Sequence, residues 1–175
     1  MVTRSDWCGT GGIMIDSTHE ILVRSRLFRT LPPEALARLA PWFRTRDVPA
    51  GVTLVQEGQP AGALFVVVEG TLIVCKSLER RSEALVGRLG PGQHAGELDL
   101  IDAQMASASV ASETPCTLLV LDQRRIREML VSDRVLFTHV ARALFVDLSE
   151  RIRLTNERVR NAIAWGLDAT GQSEP

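Results

Sequence analysis

The residues best suited to bind a ligand lie close together between Pro91 and Val110, in the stretch PGQHAGELDLIDAQMASASV. An acidic residue follows a glycine at Gly96-Glu97, and a run of tiny residues, Ala106-Ser107-Ala108-Ser109, comes soon after. Glycine and tiny side chains let another group approach the backbone closely. The stretch therefore raises the hypothesis of a ligand pocket, with a carboxylate acceptor at Glu97 and serine hydroxyl groups beside it.

The sequence contains no recognisable catalytic pattern. It has no G-x-S-x-G, H-E-x-x-H or P-loop motif. Cys8, Cys75 and Cys116 are far apart and form no C-x-x-C pair, so neither a disulfide framework nor a zinc site is expected. No catalytic residue, metal ligand or cofactor is assigned from these patterns.

Two helices are predicted near the N-terminus, after a flexible lead over residues 1–16. Ser17-Thr18-His19-Glu20 has the spacing of a capping box with Ser17 as N-cap, and it predicts a helix to about Arg29. Pro32-Pro33 opens a second helix, because proline is tolerated in a first turn. Pro41 is expected to kink or end that helix.

From residue 44 to residue 121, short runs of Val, Leu, Ile and Thr alternate with turn signals. Strands that recur about every 8–12 residues, with turn chemistry between them, indicate an all-β sandwich or barrel. We therefore expect a mainly β fold with flanking helices: an N-terminal helical pair, a barrel of seven or eight strands over 44–121, and two C-terminal helices over 122–165. The predicted strands are Thr45–Val48, Thr53–Gln56, Ala63–Glu69, Thr71–Ser77, Ala84–Leu89, Ala108–Glu113 and Cys116–Leu121.

Helical periodicity returns after the last predicted strand. Asp122 is a candidate cap for a short helix, and Ser132 or Asp133 for a long one that runs to about Trp165. A narrow lane of Leu136, Ala143 and Leu154 is expected to cover the barrel. The main apolar stripe spans a sector of about 140° on the long helix. It predicts a homodimer seam of Phe137, Val140, Leu144, Leu148, Ile152, Thr155 and Val159. Residues 166–175 are expected to be a frayed polar tail.

Composition narrows the class of partner. The net charge is −1 and apolar residues make up 45% of the chain, which predicts a sizeable core and no overall attraction to nucleic acid. The basic run Arg151-Ile152-Arg153 is interpreted as a solvated helix face. No apolar run approaches the roughly 18 residues of a membrane span, and no signal peptide is evident. These observations predict a cytoplasmic protein without membrane contact.

The segment from Gly58 to Leu72, GQPAGALFVVVEGTL, resembles the glycine-punctuated hairpin of the cyclic nucleotide-binding domain. That domain is the sensor module of the cAMP receptor protein class and of protein kinase A regulatory subunits. Gly96-Glu97-Leu98 is similar to the start of its phosphate-binding cassette, and the order of helices and barrel is also similar. The resemblance covers roughly Ser17 to Ile163. It implies a double-stranded β-helix, or jelly roll, over a domain of residues 17–165.

The resemblance implies a role for each cassette residue. Glu97 matches the glutamate that accepts a hydrogen bond from the ribose hydroxyl. Backbone N–H groups around Gly96, Glu97 and Leu98 would approach the cyclic phosphate, as at a helix N-terminus. The family's small residues persist as Ser107 and Ala108. In the simpler alternative, Glu97 only caps its own turn and the serines are ordinary strand residues.

Two cassette positions depart from the family pattern. The arginine that pairs with the phosphate falls at Ala106, and Asp99 adds a negative charge near the expected phosphate position. A hydrogen bond to a charged group contributes about 1.5–3 kcal/mol, so its loss weakens binding roughly 10- to 150-fold. No Lys or Arg occurs between Arg88 and Arg124. A substitute cation would have to come from Arg88 or from the long helix.

The expected function is that of a non-enzymatic regulatory sensor with weak or lost cyclic nucleotide binding, coupled to an unidentified protein partner. One alternative is a dimeric interaction scaffold without a small-molecule ligand. A more remote alternative is a cupin-like metal enzyme with His94 near Glu97, although His19 and His139 are predicted on helices outside the barrel. The family's transcription factors carry a helix-turn-helix beyond the long helix. Only ten residues follow Trp165 here, so direct DNA binding is not expected.

Overall fold

The computed structural model describes the backbone of residues 15–78, 83–97 and 105–170, and the side chains of 18–78, 83–97 and 105–163. The helices are α1 (Ile15–Arg24), α2 (Pro33–Leu39), α3 (Gln123–Ser132) and α4 (Arg134–Thr170), with a 3-10 turn at Ala40–Trp42. The strands are β1 (Arg44–Val48), β2 (Thr53–Val55), β3 (Ala63–Glu69), β4 (Leu72–Ser77), β5 (Glu83–Leu89), β6 (His94–Ala95), β7 (Ser109–Ser112) and β8 (Cys116–Asp122).

The strands form two four-stranded antiparallel sheets. The first has the order β1-β8-β3-β6 and the second the order β2-β7-β4-β5. Consecutive strands alternate between the sheets except β4 and β5, which pair with each other, and the predicted jelly-roll fold class is confirmed. Sequence reasoning missed the two-residue strand β6, which is too short to show a period.

Strand β3 is apolar over most of its length because both of its faces are buried. Phe65 and Val67 point into the core between the sheets, whereas Leu64 and Val66 pack against the helices. Such two-sided burial replaces the polar alternation of a half-exposed strand with a continuous apolar run. β3 therefore connects the barrel interior to the helical layer.

The predicted end of the first helix is wrong. Helix α1 ends at Arg24 rather than near Arg29, because Ser25 closes it: its hydroxyl donates to the Leu22 carbonyl at 2.8 Å. The N–H of Arg26 then donates to Gly92 at 2.9 Å instead of continuing the helix. α1 already includes Ile15, so the predicted start at Ser17 is late as well.

The other helix boundaries agree better with the sequence. Helix α2 begins with Pro33 in its first turn and ends before Pro41, as predicted. Asp133 caps α4, since its Oδ1 accepts from the N–H of Leu136 at 3.1 Å. Asp122 precedes α3 without a side-chain capping bond, and its carboxylate instead accepts from Arg44.

Helix α4 has 37 residues, so it is about 55 Å long at 1.5 Å per residue. It continues beyond Trp165 to Thr170, further than expected. Leu136 and Ala143 are buried in a cluster that includes strand residues of the barrel, as expected for a lane that covers it, but Leu154 is exposed. Among the described residues, no helix is long and apolar enough to cross a membrane.

The predicted dimer seam needs a correction. Val140 is 1% exposed and Leu144 is 5% exposed, because both pack in the chain's own core, and Phe137 packs against the same cluster. Val140 and Leu144 are therefore not available to a partner, and Phe137 is only partly available. Downstream, Ile152 and Val159 are exposed, so this part of the stripe still faces outward.

Candidate ligand pocket and its polar end

A cavity of about 140 Å³ lies within the barrel, between the second sheet and the segment from His94 to Glu97. This is smaller than the roughly 300–1,000 Å³ of most small-molecule sites. Its polar end is formed by His94, Glu97 and Arg151. The other lining residues are small or apolar: Val55, Ala61, Val74, Leu89, Ala95, Gly96, Ala106, Ser107, Ala108 and Val110.

Backbone geometry at Gly96 delivers Glu97 to the cavity. Strand β6 pairs with β3 through His94 and Val66, and the chain then turns at Gly96 with φ of 85°. A Cβ at Gly96 would collide with the carbonyl oxygen of Ala63, so glycine is required on both counts. Glu97 follows with helical backbone and is 4% exposed.

The tiny-residue run is tied to the glycine hairpin. Ala106 donates its N–H to Gln59 at 3.0 Å, and its carbonyl accepts from the N–H of Gly58 at 2.9 Å. These two bonds hold Ala106 and its neighbours Ser107 and Ala108 on the cavity wall. The hydroxyl of Ser109 accepts from the N–H of Glu57 at 3.0 Å. Ser109 therefore has a structural role.

Arg151 of α4 reaches the polar end of the cavity. Its Nη1 donates to Glu97 Oε1 at 2.7 Å, and its Nη2 lies 2.8 Å from His94 Nε2. Its Nε lies 2.7 Å from Asp147 Oδ2, one helical turn earlier. The three partners are buried, whereas the Arg151 side chain is 39% exposed. One guanidinium thus connects the helix to the barrel through the Glu97 carboxylate and the His94 imidazole, while Asp147 holds it from the same helix.

Asp147 is the buried centre of this polar group. Burial raises the pKa of its carboxyl, but contact with His94 and the charges of Arg151 and Arg26 outweigh burial and hold the pKa below its ordinary value. Arg26 Nε lies 3.3 Å from Asp147 Oδ1. Asp147 is therefore ionised at neutral pH and shares the guanidinium of Arg151 with Glu97.

The structure shows which of the candidate substitute cations, Arg88 or an arginine of the long helix, reaches the cavity. Arg88 forms an ion pair with Glu113 at 2.7 Å and does not line the cavity, whereas Arg151 does. The interpretation of residue 151 as part of a solvated face is wrong, although Arg153 is exposed. The available signal was the Asp147 and Arg151 pair at i, i+4, a spacing that places both side chains on one helix face.

Two predicted cassette residues, Leu98 and Asp99, lie outside the described residues. Gly96, Glu97, Ala106, Ser107 and Ala108 all line the cavity, and their ligand roles stay predictions. His94 contacts Arg151 and Asp147. Among the residues that the structure describes, no group of three or more His, Cys, Asp or Glu side chains is arranged to hold a metal ion.

Comparison with known proteins points to one family. A CRP-like cAMP-activated global transcriptional regulator of Mycobacterium tuberculosis is 27% identical over 144 residues, covering 82% of this chain and 62% of that protein. The chain thus spans less than two thirds of that relative's length.

Solved structures show a similarity to the same class of protein. A cyclic nucleotide-binding domain from Methylobacillus flagellatus aligns with a TM-score of 0.72 and 24% identity over 85% of this chain and 83% of its own. The Thermus thermophilus catabolite activator protein aligns with a TM-score of 0.69 and 26% identity, covering 79% and 63%. The family profile of the cyclic nucleotide-binding domain matches residues 45–133, about half of the chain. This chain therefore belongs to the cyclic nucleotide-binding domain family.

Proposed function

We propose that this chain is a non-enzymatic regulatory sensor domain whose barrel pocket binds cyclic nucleotides weakly or no longer binds them. In this proposal, occupancy of the pocket changes the packing of α4, and α4 transmits the change to a protein partner. A ligand shifts such an equilibrium only by its differential affinity for the two states. Family membership and similarity to cAMP-activated regulators support the sensor role.

The observation that carries the weak-binding proposal is Ala106 on the cavity wall. It occupies the position at which the resemblance implies a phosphate-binding arginine, and it is held there by two backbone hydrogen bonds. Among the described residues that line the cavity, the single guanidinium belongs to Arg151, which is already paired with Glu97 and Asp147. A phosphate in the cavity would therefore lack an uncommitted cation from this part of the chain.

Titration with cAMP and cGMP, followed by thermal unfolding and calorimetry, tests this proposal. A ligand with micromolar Kd at millimolar concentration stabilises the folded state by about 4 kcal/mol. We expect a much smaller shift for the natural sequence. The substitution Ala106→Arg should raise affinity about tenfold or more, because it supplies a charge-assisted hydrogen bond to the phosphate.

Met105→Arg is the matched control. Met105 is 71% exposed and adjacent to Ala106, so arginine there adds the same charge outside the cavity. Its affinity should stay close to that of the natural sequence. A large stabilisation of the natural sequence by millimolar cyclic nucleotide, or equal effects of the two arginine variants, would contradict the proposal.

A second candidate function, a homodimeric interaction scaffold, is favoured by the outer face of α4. Phe145, Ile152, Val159 and Ile163 are 52–61% exposed. At 100° per residue they lie within a sector of about 40°, a narrow stripe of the kind that pairs with a second helix. In this candidate, α4 forms the dimer seam with the downstream members of the predicted set, Leu148, Ile152, Thr155 and Val159.

A further inference from the structure

We propose that Arg151 is an internal occupant of the pocket, which a ligand must displace from Glu97 before it binds fully. This inference rests on the proposed sensor function and names the regulation of the same site. It makes the ion pair between Arg151 and Glu97 an autoinhibitory contact. The position of α4 then reports whether the pocket is occupied.

The geometry places the contact where a ligand has to compete with it. Glu97 Oε1 accepts from Arg151 Nη1 at 2.7 Å, and both residues line the cavity. Glu97 is also the carboxylate that the family resemblance assigns to a ligand hydroxyl. A hydrogen bond with an ionised donor and acceptor is roughly twice as strong as one between neutral groups. A ligand hydroxyl that approaches Glu97 Oε1 therefore has to displace the guanidinium.

The charges around Arg151 argue that it inhibits ligand binding and does not serve as the missing phosphate cation. Each of its three guanidinium nitrogens lies 2.7–2.8 Å from a partner atom, of Glu97, His94 or Asp147. The positive charge of Arg151 is thus already paired with two buried carboxylates, and an incoming phosphate would have to compete with Glu97 and Asp147 for it. An arginine that recognised phosphate would need a free bidentate edge.

The same contact links the pocket to the helix. Arg151 lies one turn beyond Asp147 on α4, just after the segment in which Leu144 and Asp147 are buried. Beyond residue 151, the described side chains of α4 are exposed. Arg151 is thus the last side chain along α4 for which the structure shows a polar contact with the barrel. Displacement of this side chain would loosen α4 at the point where it leaves the barrel.

The test compares cAMP affinity in four proteins: the natural chain, Arg151→Gln, Ala106→Arg and the double variant. Calorimetry is performed at fixed ionic strength. We expect Arg151→Gln to raise affinity about five- to tenfold in both backgrounds, since Glu97 becomes available.

Two further variants serve as controls. Arg151→Lys keeps the charge but lacks the planar guanidinium that contacts three partners, so it should give an intermediate gain. Arg153→Gln removes the same charge from an exposed site on α4 and should leave affinity unchanged.

The four proteins separate failure of this inference from failure of the proposed function. If Ala106→Arg raises affinity and Arg151→Gln lowers it or leaves it unchanged, the autoinhibitory contact is overturned and the proposed function stands. If Arg151→Gln raises affinity and Ala106→Arg does not, the autoinhibitory contact stands and the proposed weak binding through loss of the arginine is overturned. If neither variant gains affinity, both are wrong.

Hydrogen exchange provides a readout that does not depend on comparing affinities. In the Ala106→Arg protein, saturating cAMP should accelerate amide exchange in α4 around residues 147–154. Arg151→Gln should show the faster exchange before ligand is added. Slower exchange in this segment on ligand addition would overturn the inference, since it would mean that the ligand tightens the helix.

Discussion

Arg151 Nη1 lies 2.7 Å from Glu97 Oε1, although 54 residues separate the two along the chain. One residue belongs to a helix outside the barrel and the other to the turn that closes the pocket. This ion pair joins the pocket that the family resemblance assigns to a ligand and the helix that is proposed to transmit the signal. In the proposed mechanism, this contact couples the pocket to the position of the helix.

The first prediction concerns the energetics of that ion pair. Arg151→Gln should lower the free energy of unfolding by about 2 kcal/mol, because two buried carboxylates lose the cation that they share and Asp147 keeps only its weaker pair with Arg26. Glu97→Gln should cost about 1 kcal/mol, since Arg151 keeps Asp147 and is 39% exposed. Urea unfolding of both variants and of the double variant gives the coupling energy. Strict additivity would mean that the pair contributes nothing.

The second prediction concerns pH and Asp147. Its pKa in the folded state is held below the ordinary aspartate value of 3.8, so its ionised form stabilises the fold above that value and the contribution is lost as pH falls through the folded pKa. Asp147→Asn should therefore be less stable than the natural chain at pH 7, and the difference should narrow below pH 3.8. Denaturant unfolding at a series of pH values measures it. A constant difference would exclude a role for this carboxyl in acid stability.

The third prediction concerns the turn before Glu97. Gly96→Ala should destabilise the fold by about 2 kcal/mol or more, because it combines a left-handed backbone with a collision at the Ala63 carbonyl. Gly87→Ala is the control: nothing lies within 4 Å of the added Cβ, so little change is expected. Thermal unfolding of both variants is the measurement. Equal melting temperatures would refute the proposed constraint.

The fourth prediction concerns assembly through α4. Ile152→Asp should weaken or abolish a homodimer, because Ile152 lies on the exposed stripe with Phe145 and Val159. Leu154→Asp is similar in chemistry and exposure but lies on nearly the opposite helix face, so it should leave assembly unchanged. Sedimentation velocity over a concentration series measures the oligomeric state of the natural chain and of both variants. A natural chain that is monomeric at every concentration would contradict the dimeric scaffold.

Local patterns in the sequence were enough to predict most of the architecture. The seven predicted strands all occur, because runs of β-branched residues between Gly and Pro leave the backbone few alternatives. The family resemblance, carried by Gly58 to Leu72 and by Gly96-Glu97, is confirmed by the family profile over residues 45–133. Helix ends were less predictable: Ser25 and Gly92 end α1 through contacts that no periodicity reveals.

Local sequence patterns specified most of the strands and helices, and they show which chemistry the pocket wall lacks, since Ala106 has no charge in any fold. Only the tertiary structure decided which face of α4 is buried and which cation reaches Glu97. Helical periodicity specifies the angle between side chains on one helix but not the rotation of that helix against a barrel. Val140 and Leu144 therefore pack in the core, Ile152 stays exposed, and Arg151 meets Glu97 across the interface between helix and barrel.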